Sequence, residues 1–157
     1  MKKLLTIGLV GLAIAGGIFA ALKAGQPQVK NEPTTSTPAV AMPGNGVVVT
    51  YFTTDVRCAS CRKIESLTRK AVESQFPDEF AKGNIVFQVI NTDRQENAHF
   101  IKDYNLVSKT VIVSERHDGK ETGWRNLQDV WLKLNDPADF TKYIVAGVHA
   151  SGLPARQ

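Results

Sequence analysis

Two cysteines are all that this 157-residue chain contains. That number excludes a small disulfide-scaffold protein and a four-thiolate zinc module. The three histidines, His99, His117 and His149, lie far apart and show no metal-ligand spacing. His99 reads as a helix-face residue and His117 as a hairpin-edge residue. His149 falls at a helix end, where a cation suits the dipole. There are no internal repeats, and no Gly-rich fingerprint for a nicotinamide or flavin nucleotide. Net charge is also missing where it would matter. The formal +4 comes from Lys2, Lys3, Lys23, Lys30 and Arg156 against Glu32 alone, so residues 46–150 balance to zero. A basic excess confined to the ends is a targeting signature, and no nucleic-acid partner is expected.

What is present begins with a hydrophobic run. Met1-Lys2-Lys3 precedes residues 4–22, in which only Thr6 is polar. Nineteen residues at about 1.5 Å each reach roughly 28 Å, close to the hydrocarbon thickness of a bilayer. Residues 1–24 are therefore read as a signal anchor or a signal peptide. No cysteine follows the run directly, which excludes a lipoprotein. The two lysines keep the N-terminus in the cytoplasm and direct the remainder outward. The expected location is the bacterial periplasm, anchored to the inner membrane through residues 4–22, or free in the periplasm after cleavage. Residues 25–45 hold four of the seven prolines among Thr, Ser, Gln and Ala. Such a stretch cannot bury enough surface to fold. It reads as a flexible linker spanning roughly 25 Å or more. Residues 151–157 form a short tail.

Residues 46–150 carry the folded domain, and a hydrophobic content of 43% supplies a core. Val47–Phe52 is a continuous β-rich run. Ile64, Leu67, Ala71 and Val72 recur at helical spacing as far as Gln75, and Phe76-Pro77 breaks that helix. Ile85–Ile90 is a second strand. Asp93 with Glu96 resembles a capping box and predicts a helix to about Tyr104. Thr110–Val113 and Lys120–Arg125 flank an Asp118-Gly119 turn signal. Asn126 is expected to cap a short helix to about Leu134. Asp136 with Pro137 starts the last helix, which runs to about His149. The order β-α-β-α-β-β-α predicts an α/β domain, a mixed sheet with helices on both faces.

Cys58-Ala59-Ser60-Cys61 falls where the first strand gives way to the first helix. There Cys58 sits at the helix N-terminus, whose free N–H groups and dipole stabilise a thiolate. Arg57, Arg62 and Lys63 add positive charge. A thiolate attacks disulfides and a thiol does not, so Cys58 is the candidate nucleophile and Cys61 the resolving thiol. The competing readings are a metal- or cluster-binding pair, and a noncatalytic subunit whose disulfide braces the fold. Two thiolates are an incomplete zinc set, so the metal reading needs a shared or distant ligand, or a soft ion such as Cu(I). Asp55 is read as a loop-ordering residue in preference to a proton acceptor, and Asp93 as a helix cap. Trp124 and Trp131 are read as packing residues.

The strand, CxxC, helix, strand, helix, hairpin and final helix over residues 46–150 resemble the thioredoxin superfamily. Within it the chain looks most like bacterial thioredoxin-like proteins of the ArsF-like nitrophenyl compound nitroreductase subunit family. That closer likeness is carried by Arg57–Glu65, Lys102–Leu106 with Ser108-Lys109-Thr110, and Trp124–Leu127 with Val130-Trp131. The resemblance implies a thiol–disulfide oxidoreductase with Cys58 and Cys61 as catalytic residues. Its partners would be protein thiols or disulfides; it needs no cofactor and no metal. The chain departs from the thioredoxin pattern at four places. Ala59-Ser60 replaces Gly-Pro between the cysteines, and Arg57 replaces a tryptophan. Tyr51 falls, after a one-residue offset, at the buried acid of the preceding strand. Thr110 falls at the cis-proline position and, with Arg57 and Arg62, is assigned to thiolate stabilisation or the substrate groove.

Overall fold

The computed structural model describes residues 41–152. The hydrophobic segment 4–22, most of the linker and the end of the tail lie outside the described residues. No helix among the described residues is long and apolar enough to cross a membrane.

Four strands form one mixed sheet: β1 (Gly46–Thr53), β2 (Ile85–Asn91), β3 (Thr110–His117) and β4 (Lys120–Leu127). Their spatial order is β2-β1-β3-β4. β1 runs parallel to β2 and antiparallel to β3, and β3 pairs antiparallel with β4. This is the sheet expected of a thioredoxin-like fold. The sequence of β1 accounts for its central place. From Val47 onward every one of its residues is buried, which needs cover on both faces. β4 is an edge strand, mostly exposed and carrying Lys120, Glu121 and Arg125, and such charges blunt further pairing. The β3–β4 turn uses Asp118 and Gly119, both at positive φ (49° and 75°), as a two-residue hairpin turn requires.

Alternation along β1 divides the core. Val47, Val49 and Tyr51 face α1 (Ala59–Gln75) and α4 (Pro137–His149), packing with Ile64, Val72, Phe140, Ile144 and Val148. Gly147 lets α4 approach β4 closely, because a Cβ there would lie 2.7 Å from a Leu127 methyl. Phe52 points to the opposite face. Its ring meets Phe100 of α3 (His99–Asp103) and the following Tyr104, each at a centroid distance of 5.4 Å. Helices therefore cover both faces, although α3 covers one end only. Pro137 opens α4 behind the Asp136 cap, and Phe76-Pro77 separates α1 from α2 (Pro77–Ala81).

Two local expectations are corrected. The helix from Asp93 to Tyr104 is instead a 3₁₀ turn, Gln95–Asn97, followed by the short α3. Asp93 caps neither. Its carboxylate accepts the Asp55 N–H at 2.8 Å, so a loop-to-loop bond has taken the group that a helix cap would use. Asn126 does not cap a helix either. It lies within β4, where its Oδ1 accepts the Thr110 hydroxyl at 2.6 Å. The 3₁₀ turn Gln128–Trp131 follows without a side-chain cap.

Candidate active site

The site forms where the parallel strands β1 and β2 end and β3 begins, Phe52 being paired with Thr110. The loop leaving β1 is braced against the loop leaving β2. Asp55 accepts from Asn91 at 2.7 Å and pairs with Arg94 at 3.1 Å, while Thr92 N–H donates to the Thr53 carbonyl at 2.9 Å. Asp55 thus orders the loop that delivers Cys58.

Cys58 is the N-cap of the 17-residue α1, in extended conformation, and its Sγ accepts the Cys61 N–H at 3.1 Å. Cys58 and Cys61 are joined by a disulfide. The two residues differ in access: Cys58 is exposed, whereas Cys61 is 1% exposed on the inner side of the helix. The first turn of α1 contains no acidic residue. Helix dipole and local charge therefore both favour an anion at Cys58 once the disulfide opens.

The structure brings Arg57, Arg62 and Lys63 to the start of α1; Lys63 is exposed, and the two arginines have partners. Arg57 is ion-paired with Glu65, and Arg62 donates to the Arg57 carbonyl. Thr110 is buried, with its hydroxyl committed to Asn126. The residue before it, Lys109, reaches the cysteines. Its Nζ donates to the Val56 carbonyl and lies 3.4 Å from Cys61 Sγ. Trp131 fixes Lys109 in turn, donating its indole N–H to the Lys109 carbonyl at 2.7 Å. Neither Lys109 nor this function of Trp131 was expected. The contact spans 48 residues, and nothing local marks it.

Beside the disulfide lies an open cavity of about 550 Å³. Both cysteines and Lys109 line it, and Val56, Ile101, Leu106, Val107 and Trp131 make it mainly apolar. Val56 is 71% and Val107 84% exposed, so apolar surface continues onto the rim of the cleft. Beneath α1, Tyr51 is fully buried and its hydroxyl, though near Thr53, closes no hydrogen bond of acceptable geometry. Burial pushes this phenol above its ordinary pKa, with Arg57 and Glu65 acting on it in opposite senses.

His99 lies on α3 within 3.9 Å of Asp103, and His117 ends β3 within 4.0 Å of Glu115. His149 is in the last turn of α4, edge-on to Phe76. None of the three lines the cavity. Among the described residues no group of three or more His, Cys, Asp or Glu is placed to hold a metal ion. Trp124 is 41% exposed and packs edge-on against Tyr104, away from the cysteines.

No protein-family model and no curated protein matches the chain, so the closer likeness to nitrophenyl compound nitroreductase subunits has no support from a sequence relative. Among solved structures the chain is similar to a thioredoxin from Trypanosoma brucei brucei, at 20% identity and a TM-score of 0.40 over 67% of this chain and 77% of that one. It is also similar to a Fasciola hepatica thioredoxin, at 18% identity and a TM-score of 0.39 over 66% and 82% respectively. A Malassezia sympodialis thioredoxin gives 17% identity and a TM-score of 0.40 over 68% and 79%. Strand order, register and the CxxC at the head of α1 carry the fold: it is a thioredoxin-like mixed α/β sheet of four strands with flanking helices.

Proposed function

We propose that the protein is a thiol–disulfide oxidoreductase acting on disulfides or thiols of other proteins. One observation carries this reading: an exposed cysteine at a helix N-cap is disulfide-bonded to a buried cysteine one turn later, and both line an open apolar cleft. In the reducing direction the Cys58 thiolate attacks a substrate sulfur. The substrate S–S bond breaks, and the first substrate thiolate leaves and takes up a proton. Cys61 then loses its proton and attacks Cys58 Sγ. The Cys58–Cys61 bond forms as the second substrate thiolate departs. Two electrons pass from the cysteine pair to the substrate, and the reverse sequence oxidises a dithiol. The partner's potential sets the direction.

Arg57, Arg62 and Lys63 are assigned to the electropositive surroundings of Cys58, and Thr110 to the structural edge of the groove. The placement we propose is the extracytoplasmic side of a bacterial inner membrane. It is supported by Lys2 and Lys3 ahead of the apolar residues 4–22 and by the proline-rich residues 25–45. A tethered domain there would meet exported proteins in a compartment where disulfides persist.

A Cys61→Ala variant tests the activity, because it stops the reaction at the mixed disulfide. It is expected to accumulate adducts through Cys58 that dithiothreitol releases, whereas Cys58→Ala accumulates none. The wild-type protein is expected to exchange with a glutathione buffer and to reduce or form disulfides in a test protein. Absence of both adducts and exchange overturns the reading.

A further inference from the structure

Lys109 is the charged side chain whose contact with a site sulfur is direct. Its half-buried stem crosses from the start of β3 to the inner side of α1. Three contacts hold it: Nζ donates to the Val56 carbonyl, Nζ stands 3.4 Å from Cys61 Sγ, and the backbone carbonyl receives the Trp131 indole N–H. A lysine loses side-chain entropy and hydration when it is held in this way. The neutral sulfur of a disulfide returns little for that cost, because it is a weak acceptor. A thiolate at the same atom would return far more.

Cys61 needs such a partner. At 1% exposure its sulfur has almost no access to water, and burial of a thiol disfavours the charged form. Yet this sulfur must become a thiolate to resolve a mixed disulfide. The dipole acts mainly on Cys58 at the N-cap, one turn away. Other charged groups around the cavity and the underlying sheet are engaged elsewhere: Asp93 accepts the Asp55 N–H, Glu65 pairs with Arg57, and Arg62 donates to the Arg57 carbonyl. Tyr51, under α1, closes no hydrogen bond, but burial pushes its phenol above the ordinary pKa, so it brings no charge near neutral pH.

We propose that Lys109 is the counter-charge of the Cys61 thiolate, and so the residue that makes Cys61 competent to resolve the mixed disulfide. The inference deepens the oxidoreductase reading and rests on it for the resolving step. In that step the Cys61 proton goes to solvent and the negative charge rests beside the Lys109 ammonium. The electron pair then forms the bond to Cys58 Sγ as the substrate thiolate leaves. Closure removes the charge from Cys61, and Lys109 returns to the contact seen in the disulfide form.

The test uses Cys58→Ser, in which position 58 is uncharged, as it is in the mixed disulfide, and Cys61 is the single thiol. The rate of iodoacetamide alkylation is followed against pH. An opposite charge within about 4–6 Å lowers a thiol pKa by roughly 1–3 units. Adding Lys109→Met is therefore expected to slow alkylation at pH 7 at least about tenfold and to move the profile to higher pH. Lys109→Arg is expected to restore most of the rate. The Met and Lys profiles are expected to converge at alkaline pH, where Cys61 is ionised in both. A companion measurement follows release of glutathione from the Cys58 adduct of the otherwise wild-type protein, which Lys109→Met should slow to a similar degree.

An unshifted profile overturns the proposal. A deficit that persists at alkaline pH, or one that Lys109→Arg does not repair, also overturns it, since either marks a packing defect. The Cys61 profile requires no partner protein. Trapped adducts with an unmoved profile would therefore sink this inference alone, and a shifted profile without adducts or exchange would sink the oxidoreductase reading, and with it the resolving step, while leaving Lys109 as the counter-charge of Cys61.

Discussion

The indole N–H of Trp131 donates to the carbonyl of Lys109 at 2.7 Å and thereby fixes the residue that stands over the Cys61 sulfur. A tryptophan on the 3₁₀ turn after β4 thus acts on the cysteine pair through the backbone at the start of β3. Trp131→Phe keeps most of the ring and deletes the donor. It is expected to destabilise the protein by about 1 kcal/mol, the net worth of one such bond. In the Cys58→Ser background it should also shift Cys61 alkylation in the direction of Lys109→Met, by a smaller factor. Urea denaturation and the alkylation profile check the two effects.

Tyr51 stands where a hydroxyl is a liability, fully buried and without a closed hydrogen bond. Tyr51→Phe removes an unsatisfied polar group and leaves the ring in the core. The expected change is neutral to stabilising, by up to about 1 kcal/mol. A loss of more than that in urea denaturation would mean that the hydroxyl is bonded in solution.

The Arg57–Glu65 pair is partly exposed, with side-chain exposures of 37% and 25%. Glu65→Gln is expected to alter stability by less than about 1 kcal/mol, because solvent screens such pairs. Its larger effect should be on reactivity. One negative charge is lost and the Arg57 charge is released near Cys58, so in the reduced protein iodoacetamide should alkylate Cys58 roughly two- to threefold faster near neutral pH. A slower reaction would contradict the electrostatic account of this helix turn.

Asp136 caps α4 by accepting the N–H groups of Ala138 at 2.9 Å and Asp139 at 3.0 Å. The Asp139 and then the Ala138 N–H bonds hold its carboxyl below the ordinary value of 3.8. A depressed folded pKa contributes stability that is present above the unfolded value and lost as pH falls through the folded one. Asp136→Ala should therefore lower the Tm at pH 7, and its deficit relative to wild type should shrink below about pH 4. Thermal melts of both proteins between pH 2 and pH 7 provide the comparison.

The legible features are those set by neighbours within a turn or two. Asp136-Pro137 starts a helix, Asp118-Gly119 turns a hairpin, and the apolar run at β1 forms a buried strand. The two misread caps share one cause. Asp93 and Asn126 carry side chains that suit a helix start, but each was claimed by a distant partner, Asp55 N–H and the Thr110 hydroxyl. A cap is worth about 1 kcal/mol, so a competing tertiary bond of similar strength can redirect it.

The sequence by itself determined the β-α-β-α-β-β-α order and the position of Cys58 at a helix N-terminus, because strand runs, periodicity and caps are local. It also located the charge excess outside residues 46–150. Only the tertiary structure decided which cysteine is exposed, which cation meets the buried one, and which walls enclose the cleft. Those depend on the register that brings Thr110 opposite Phe52 and so carries Lys109 to a helix 48 residues earlier. Sheet pairing sets such long-range contacts, and no spacing along the chain encodes them.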